Sequence, residues 1–172
     1  MQITVAITRE AREDCVVIHR ADGKVGKFRF PAKGPLPHDG VHHVAESLLG
    51  LQAGFWGRVA AGQSPAEIQQ FAHAGGHASA KRAIRPAPEI VEMIQAERLV
   101  ECLEADAWSG GDGEFTTFRA VYAAACAQSC VEPLSLTAED LSRLRTGMAT
   151  LASQWTAGTY RFMFPVAGRS AR

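Results

Sequence analysis

The sequence has no surplus of charge, little cysteine and no long apolar run. Its 18 basic and 18 acidic residues cancel, which removes the general electrostatic case for nucleic acid or an anionic membrane surface as partner. No apolar stretch approaches the roughly 20 residues that a membrane-spanning helix needs. Met1-Gln2-Ile3-Thr4-Val5 lacks the basic start and apolar run of a secretory leader. The four cysteines (Cys15, Cys102, Cys126 and Cys130) show no C-x-x-C spacing, so the expectation is free thiols in a reducing cytoplasm. Cys126 and Cys130 stand four apart among alanines and read as core packing before metal or redox work. Gly110-Gly111-Asp112-Gly113 lacks the Lys-Ser/Thr of a phosphate-binding loop.

What is present is a small mixed pattern. A chain of 172 residues is long enough for one real core. Residues 2–9 alternate as a strand, Cys15–His19 is β-branched, and Asp22-Gly23 is a hairpin signal before Val25–Phe30. These make a three-stranded meander. Pro31-Ala32-Lys33-Gly34-Pro35 breaks the sheet. A helix is predicted from Pro37 in its first turn to Gly50. Ser64-Pro65-Ala66-Glu67 starts another, Pro86-Ala87-Pro88-Glu89 a third, Glu114–Val131 a fourth and Thr137-Ala138-Glu139-Asp140 a fifth. The third carries the stripe Ile90, Met93, Ile94, Glu97, Val100, Leu103, mostly core-facing. Tyr160, Phe162 and Phe164 alternate in a closing strand that completes the sheet. The predicted class is α+β: an antiparallel sheet, the meander plus the C-terminal strand, backed by about five helices. One domain over 1–165 and a flexible tail over 166–172 are expected.

Reactive side chains concentrate in one place. His38, Asp39, His42, His43 and Glu46 lie within nine residues. On a helix they fill an arc of about 140° beside the apolar face of Val41, Val44 and Ala45. His38-Asp39-Gly40-Val41-His42 has the form H-D-x-x-H. In the zinc motif H-E-x-x-H, histidines at i and i+4 share an ion while the acid polarises water. His38, His42 and Glu46 are therefore candidate metal ligands, for zinc or another divalent ion, and Asp39 and Glu46 candidate catalytic carboxylates. His38 and Glu46 are about 12 Å apart along the axis, too far for one ion to take both with His42. Capping and solvation of the same side chains is the structural alternative. His43, Phe55 and Trp56 are candidate pocket walls, with plain packing as the default for the aromatic pair. His73 and His77 are a reserve of imidazoles. Lys81, Arg82 and Arg85 form a small basic cluster, read as solvated.

Leu36-Pro37-His38-Asp39, His42 and Glu46, followed by Gly54-Phe55-Trp56-Gly57, Ala60 and Gly62, resemble a group of small bacterial proteins. These share L-P-H-D-x-x-H-x-x-x-E and then G-F-x-G-x-x-A-x-G. The resemblance spans 27 of 172 residues, Leu36 to Gly62, and the closing aromatic strand is similar in style. It implies a bacterial cytoplasmic protein and draws attention to His38, Asp39, His42 and Glu46. It implies no particular reaction.

Two functions follow from the residues. One is a metal-binding protein with hydrolase-like chemistry acting on a small molecule the sequence does not specify. The other is a non-catalytic interaction or assembly module, in which the His/acid cluster is structural and the Phe55-Trp56 surface or a sheet edge meets a partner or a second copy.

Overall fold

A computed structural model describes residues 2–75 and 85–165. The expectations for His77, Lys81, Arg82 and the tail 166–172 lie outside the described residues. The fold is α+β, a four-stranded antiparallel sheet with six α-helices among the described residues. Strands β1 (Gln2–Glu10), β2 (Glu13–His19) and β3 (Val25–Pro31) form the meander, and β4 (Thr159–Pro165) pairs with β1, in the order β3-β2-β1-β4. The period-two alternation of side chains puts Ile3, Val5, Ile7, Val16, Ile18, Tyr160, Phe162 and Phe164 into the core. The register pairs Ile3 with Phe164, Val5 with Phe162 and Ile7 with Tyr160.

Helix α1 (His38–Leu49) is the centre of the helical layer. It touches α2 (Phe55–Ala60), α4 (Val91–Trp108), α6 (Ala138–Trp155) and β4. The remaining helices are α3 (Pro65–Ala74) and α5 (Phe115–Gln128). Gly50 ends α1 in the left-handed conformation, φ +68°, where a side chain would cost strain. The expected caps of α3 and α6 are present as full capping boxes, Ser64 with Glu67 and Thr137 with Asp140. On α6, Leu141, Leu144, Met148, Leu151 and Trp155 are all buried, as the stripe predicts.

Three boundaries differ from the expectation. Pro37 is the extended N-cap residue (φ −71°, ψ 115°), and the helix starts at His38. Pro88–Ile90 forms a 3₁₀ turn before α4, because two closely spaced prolines delay the first α-type hydrogen bond. The fourth helix stops at Gln128, ahead of Pro133, since Cys130 turns left-handed at φ +55°. Cys126 is therefore buried on α5 while Cys130 is exposed beyond it. None of the four cysteines is in a disulfide.

The strap from β3 to α1 is held at two carbonyls. Arg9 grips buried Asp14 with two bonds, at 2.5 and 3.2 Å, and donates to the Gly34 carbonyl at 3.2 Å. Trp155 Nε1 donates to the Pro35 carbonyl at 2.9 Å. On its far side α1 meets α6 at Gly147, where a Cβ would sit 2.7 Å from Val44 Cγ1 and 3.2 Å from Leu48 Cδ1. Val44 is β-branched and stiff. Gly147→Ala should therefore push the helices apart and cost about 1–3 kcal/mol in urea unfolding. Gly34→Ala, which meets nothing within 4 Å, should stay within about 0.5 kcal/mol. Equal midpoints for the two variants would show that α1 and α6 are not in close contact there.

Candidate metal centre

The site lies between α1 and α4. Positions i and i+4 on α1 project His38 and His42 from one face, and α4 opposes them with Glu97 and Glu104, two turns apart. His42 Nε2 stands 3.0 Å from Glu97 Oε2, and His42 Nδ1 3.1 Å from Glu46 Oε1. His38 Nδ1 stands 3.0 Å from Glu104 Oε1, and its Nε2 3.6 Å from Glu97 Oε1. Each imidazole thus has Nδ1 held by one carboxylate and Nε2 turned towards Glu97. Ligand atoms of His38, His42 and Glu97 all lie within 4.8 Å of one another, a spacing at which three groups can hold a metal ion. His38 Nε2 is buried and makes no hydrogen bond among the described residues.

The two histidines are 8% and 5% exposed and Glu46 is fully buried. Burial pushes the His42 imidazole down, but the Glu46 and Glu97 carboxylates outweigh it and raise it to about 10. His38 follows the same pattern, with Glu104 and Glu97 outweighing burial. Burial pushes Glu97 up, and the two imidazoles hold it well below the usual carboxylate range. Burial raises the Asp39 carboxyl.

Glu46 is spent on backbone. Its carboxylate accepts from Phe55 N at 2.9 Å, Trp56 N at 2.8 Å and Gly57 N at 3.4 Å, the unpaired donors at the start of α2. Gly54 makes room, since a Cβ there would lie 2.6 Å from Glu46 Cδ. Of the candidate ligands His38, His42 and Glu46, the two histidines gather with Glu97, and Glu46 stands behind His42, as the spacing of about 12 Å between His38 and Glu46 along the helix required. Asp39 makes no side-chain hydrogen bond or ion pair among the described residues. It lines a cavity of about 390 Å³ together with His38, His42, Glu97 and Phe55.

The other expected wall residues face elsewhere. Trp56 is fully buried, with Nε1 donating to the Asp39 carbonyl at 2.8 Å, so it offers no surface to a partner. His43 stacks on Phe162, centroids 3.9 Å apart, with its Nδ1 hydrogen-bonded to the Tyr160 hydroxyl at 2.9 Å. It borders a separate groove between α1 and α6. His73 on α3 is exposed and outside the group. Glu97 and Glu104 were missed, although a signal existed: Glu97 is the one acid in the apolar stripe of α4, and Glu104 repeats it seven residues on.

Compared with known proteins, the chain matches no family model, no curated protein and no solved structure.

The protonation pattern sets how the metal-free protein responds to pH. His38 and His42 are raised, so their stabilisation is complete below the ordinary imidazole value and is lost as pH climbs, towards about 10 for His42. Burial lowers His43 to about 4. The unfolded chain then binds a proton there that the folded one does not, and stability is lost as pH falls from about 6.5 towards 4. Chelator-treated protein should therefore show its highest urea midpoint near pH 6.5, with His43→Gln flattening the acid limb. A midpoint that keeps rising from pH 6.5 to 9 would show that His42 is not charged in the folded state.

Proposed function

We propose that the protein holds one divalent metal ion, zinc in the first instance, on His38, His42 and Glu97. The bound ion would serve hydrolysis of a small molecule in the adjoining cavity. The observation that carries this reading is His38 Nε2, buried without a hydrogen-bond partner among the described residues and turned towards Glu97. A buried polar atom left unsatisfied costs about 1–3 kcal/mol, and an ion between the three groups removes that cost. Two histidines and one glutamate with an open fourth position form a ligand set of catalytic zinc. Bond lengths of about 2.0–2.1 Å put tetrahedral ligands roughly 3.3 Å apart, and the contacts to Glu97 of 3.0 and 3.6 Å bracket that spacing.

Such an ion supplies Lewis acidity and lowers the pKa of water to about 7. The chain's own residues do the rest. Glu46 and Glu104 fix the ring orientations of His42 and His38 through Nδ1, leaving Nε2 of each for the ion. Asp39, unpartnered in the cavity wall, is the proton acceptor. Hydrolysis consumes one water: its oxygen bonds to the acyl carbon, and its proton passes to Asp39. From there the proton reaches the leaving amine or alcohol as that bond breaks. In this reading Asp39 keeps the catalytic part expected of the α1 carboxylates, and Glu46 orients His42 instead.

The alternative is a non-catalytic module in which the cluster only locks α1 to α4. It is favoured by the His42–Glu97 contact at 3.0 Å, which is complete as an ion pair.

Elemental analysis of tag-free, chelator-washed protein incubated with zinc decides between them. The metal reading expects one retained equivalent and a melting temperature that falls with EDTA. A ligand at a thousandfold excess over its dissociation constant contributes about 4 kcal/mol to the folded state. His38→Ala, His42→Ala and Glu97→Gln should lose the metal, and Glu104→Gln should weaken it about 10- to 100-fold. Asp39→Asn should retain zinc while hydrolysis of 4-nitrophenyl acetate falls at least about a hundredfold. No retained zinc and an unchanged melt would leave the structural lock as the reading.

A further inference from the structure

We propose that the cavity beside His38, His42 and Glu97 takes a compact apolar monoanion, with Lys33 meeting its charge. This rests on the metal reading for what meets the ligand's other end. At about 390 Å³ the cavity is within the range of small-molecule sites, at its small end. Phe30, Phe55, Ile68 and Met93 supply apolar wall, which selects a hydrocarbon or aromatic body over a sugar or a nucleotide.

Charge selects the rest. Among the described residues, four ionisable groups besides the histidines line the cavity: Asp14, Lys33, Asp39 and Glu97. Both oxygens of Asp14 are taken by Arg9, and Glu97 is engaged by the two imidazoles. Lys33 makes no ion pair or hydrogen bond among the described residues. Lys33 also borders a second cavity shared with Glu104, but that carboxylate is held by His38 Nδ1. Lys33 is the one Lys or Arg side chain among the described residues of the lining, so it is the group placed to meet a ligand carboxylate there.

The Lys33 backbone is also placed. The next two residues of the strap have their carbonyls held, Gly34 by Arg9 and Pro35 by Trp155. The cavity lining therefore brings together the metal group, Lys33 and an apolar wall. The substrate class this fits is an amide or ester with a compact apolar body and a free carboxylate.

The test is calorimetric titration of zinc-incubated protein with 3-phenylpropanoate and with its neutral amide, 3-phenylpropanamide. The expected result is a carboxylate preference of about tenfold, or 1.4 kcal/mol. Lys33→Ala should reduce it to twofold or less with zinc content and amide affinity unchanged. Lys27→Ala, exposed on β3, should leave it intact. Equal affinity for the two ligands, or no binding of either, overturns the proposal. So does a preference that survives Lys33→Ala, since the carboxylate is then on the metal. Zinc content is read on the same samples. Retained zinc without a Lys33-dependent preference overturns this proposal alone, and a Lys33-dependent preference without retained zinc overturns the metal reading alone.

Discussion

The structure around the site depends on one buried carboxylate. Glu46 is fully removed from water, which for an unpaired anion costs several kcal/mol even after relaxation. That cost is offset because four donors converge on it, three backbone N–H groups of α2 and the His42 ring. The same contacts decide the local architecture. They seat the start of α2 against α1, so Phe55 reaches the cavity and Trp56 the core. They also set the plane of His42, leaving its Nε2 facing α4. A short helix of six residues has little stability of its own, and here it is ordered by an anion at its N-terminus.

The second constraint is the packing of α4 against α1. Glu97 occupies a position in an otherwise apolar stripe and is tolerated because two imidazoles receive it. His38, one turn earlier, finds Glu104 by the same geometry, since residues seven apart on α4 return to the same face. The cluster therefore alternates carboxylate and imidazole from Glu46 through His42, Glu97 and His38 to Glu104. Glu97 is the only member that faces both rings, which makes it the shared ligand in the metal reading and the shared counter-ion in the structural one. The strap that brings Lys33 and the chain into α1 is tied to the sheet by Arg9 and to α6 by Trp155. The strap side of the cavity is thus fixed independently of its contents.

Local signals were sufficient for most of the fold. Alternation in residues 2–9 and 160–164, the Asp22-Gly23 turn, and the caps at Ser64 and Thr137 act within a few residues, and each element they predict is present. The errors lie where a local rule met a competing one: Pro88 delayed α4, and Cys130 ended α5 before Pro133. In the site, the i, i+4 spacing of His38 and His42 and the isolated acids around them were legible because they lie on one turn of one helix.

The amino-acid order by itself determined the α+β class, the helix carrying His38, Asp39, His42 and Glu46, and the approach of two imidazoles on one face. It did so because those features depend on a repeat of 3.6 or 2 residues. Only the tertiary structure decided the third member of the group. Glu97 is 55 residues from His42, and no periodicity relates positions on different helices. It also decided that Glu46 turns to α2 rather than to an ion, because only packing shows which of two nearby donor sets a buried carboxylate can reach.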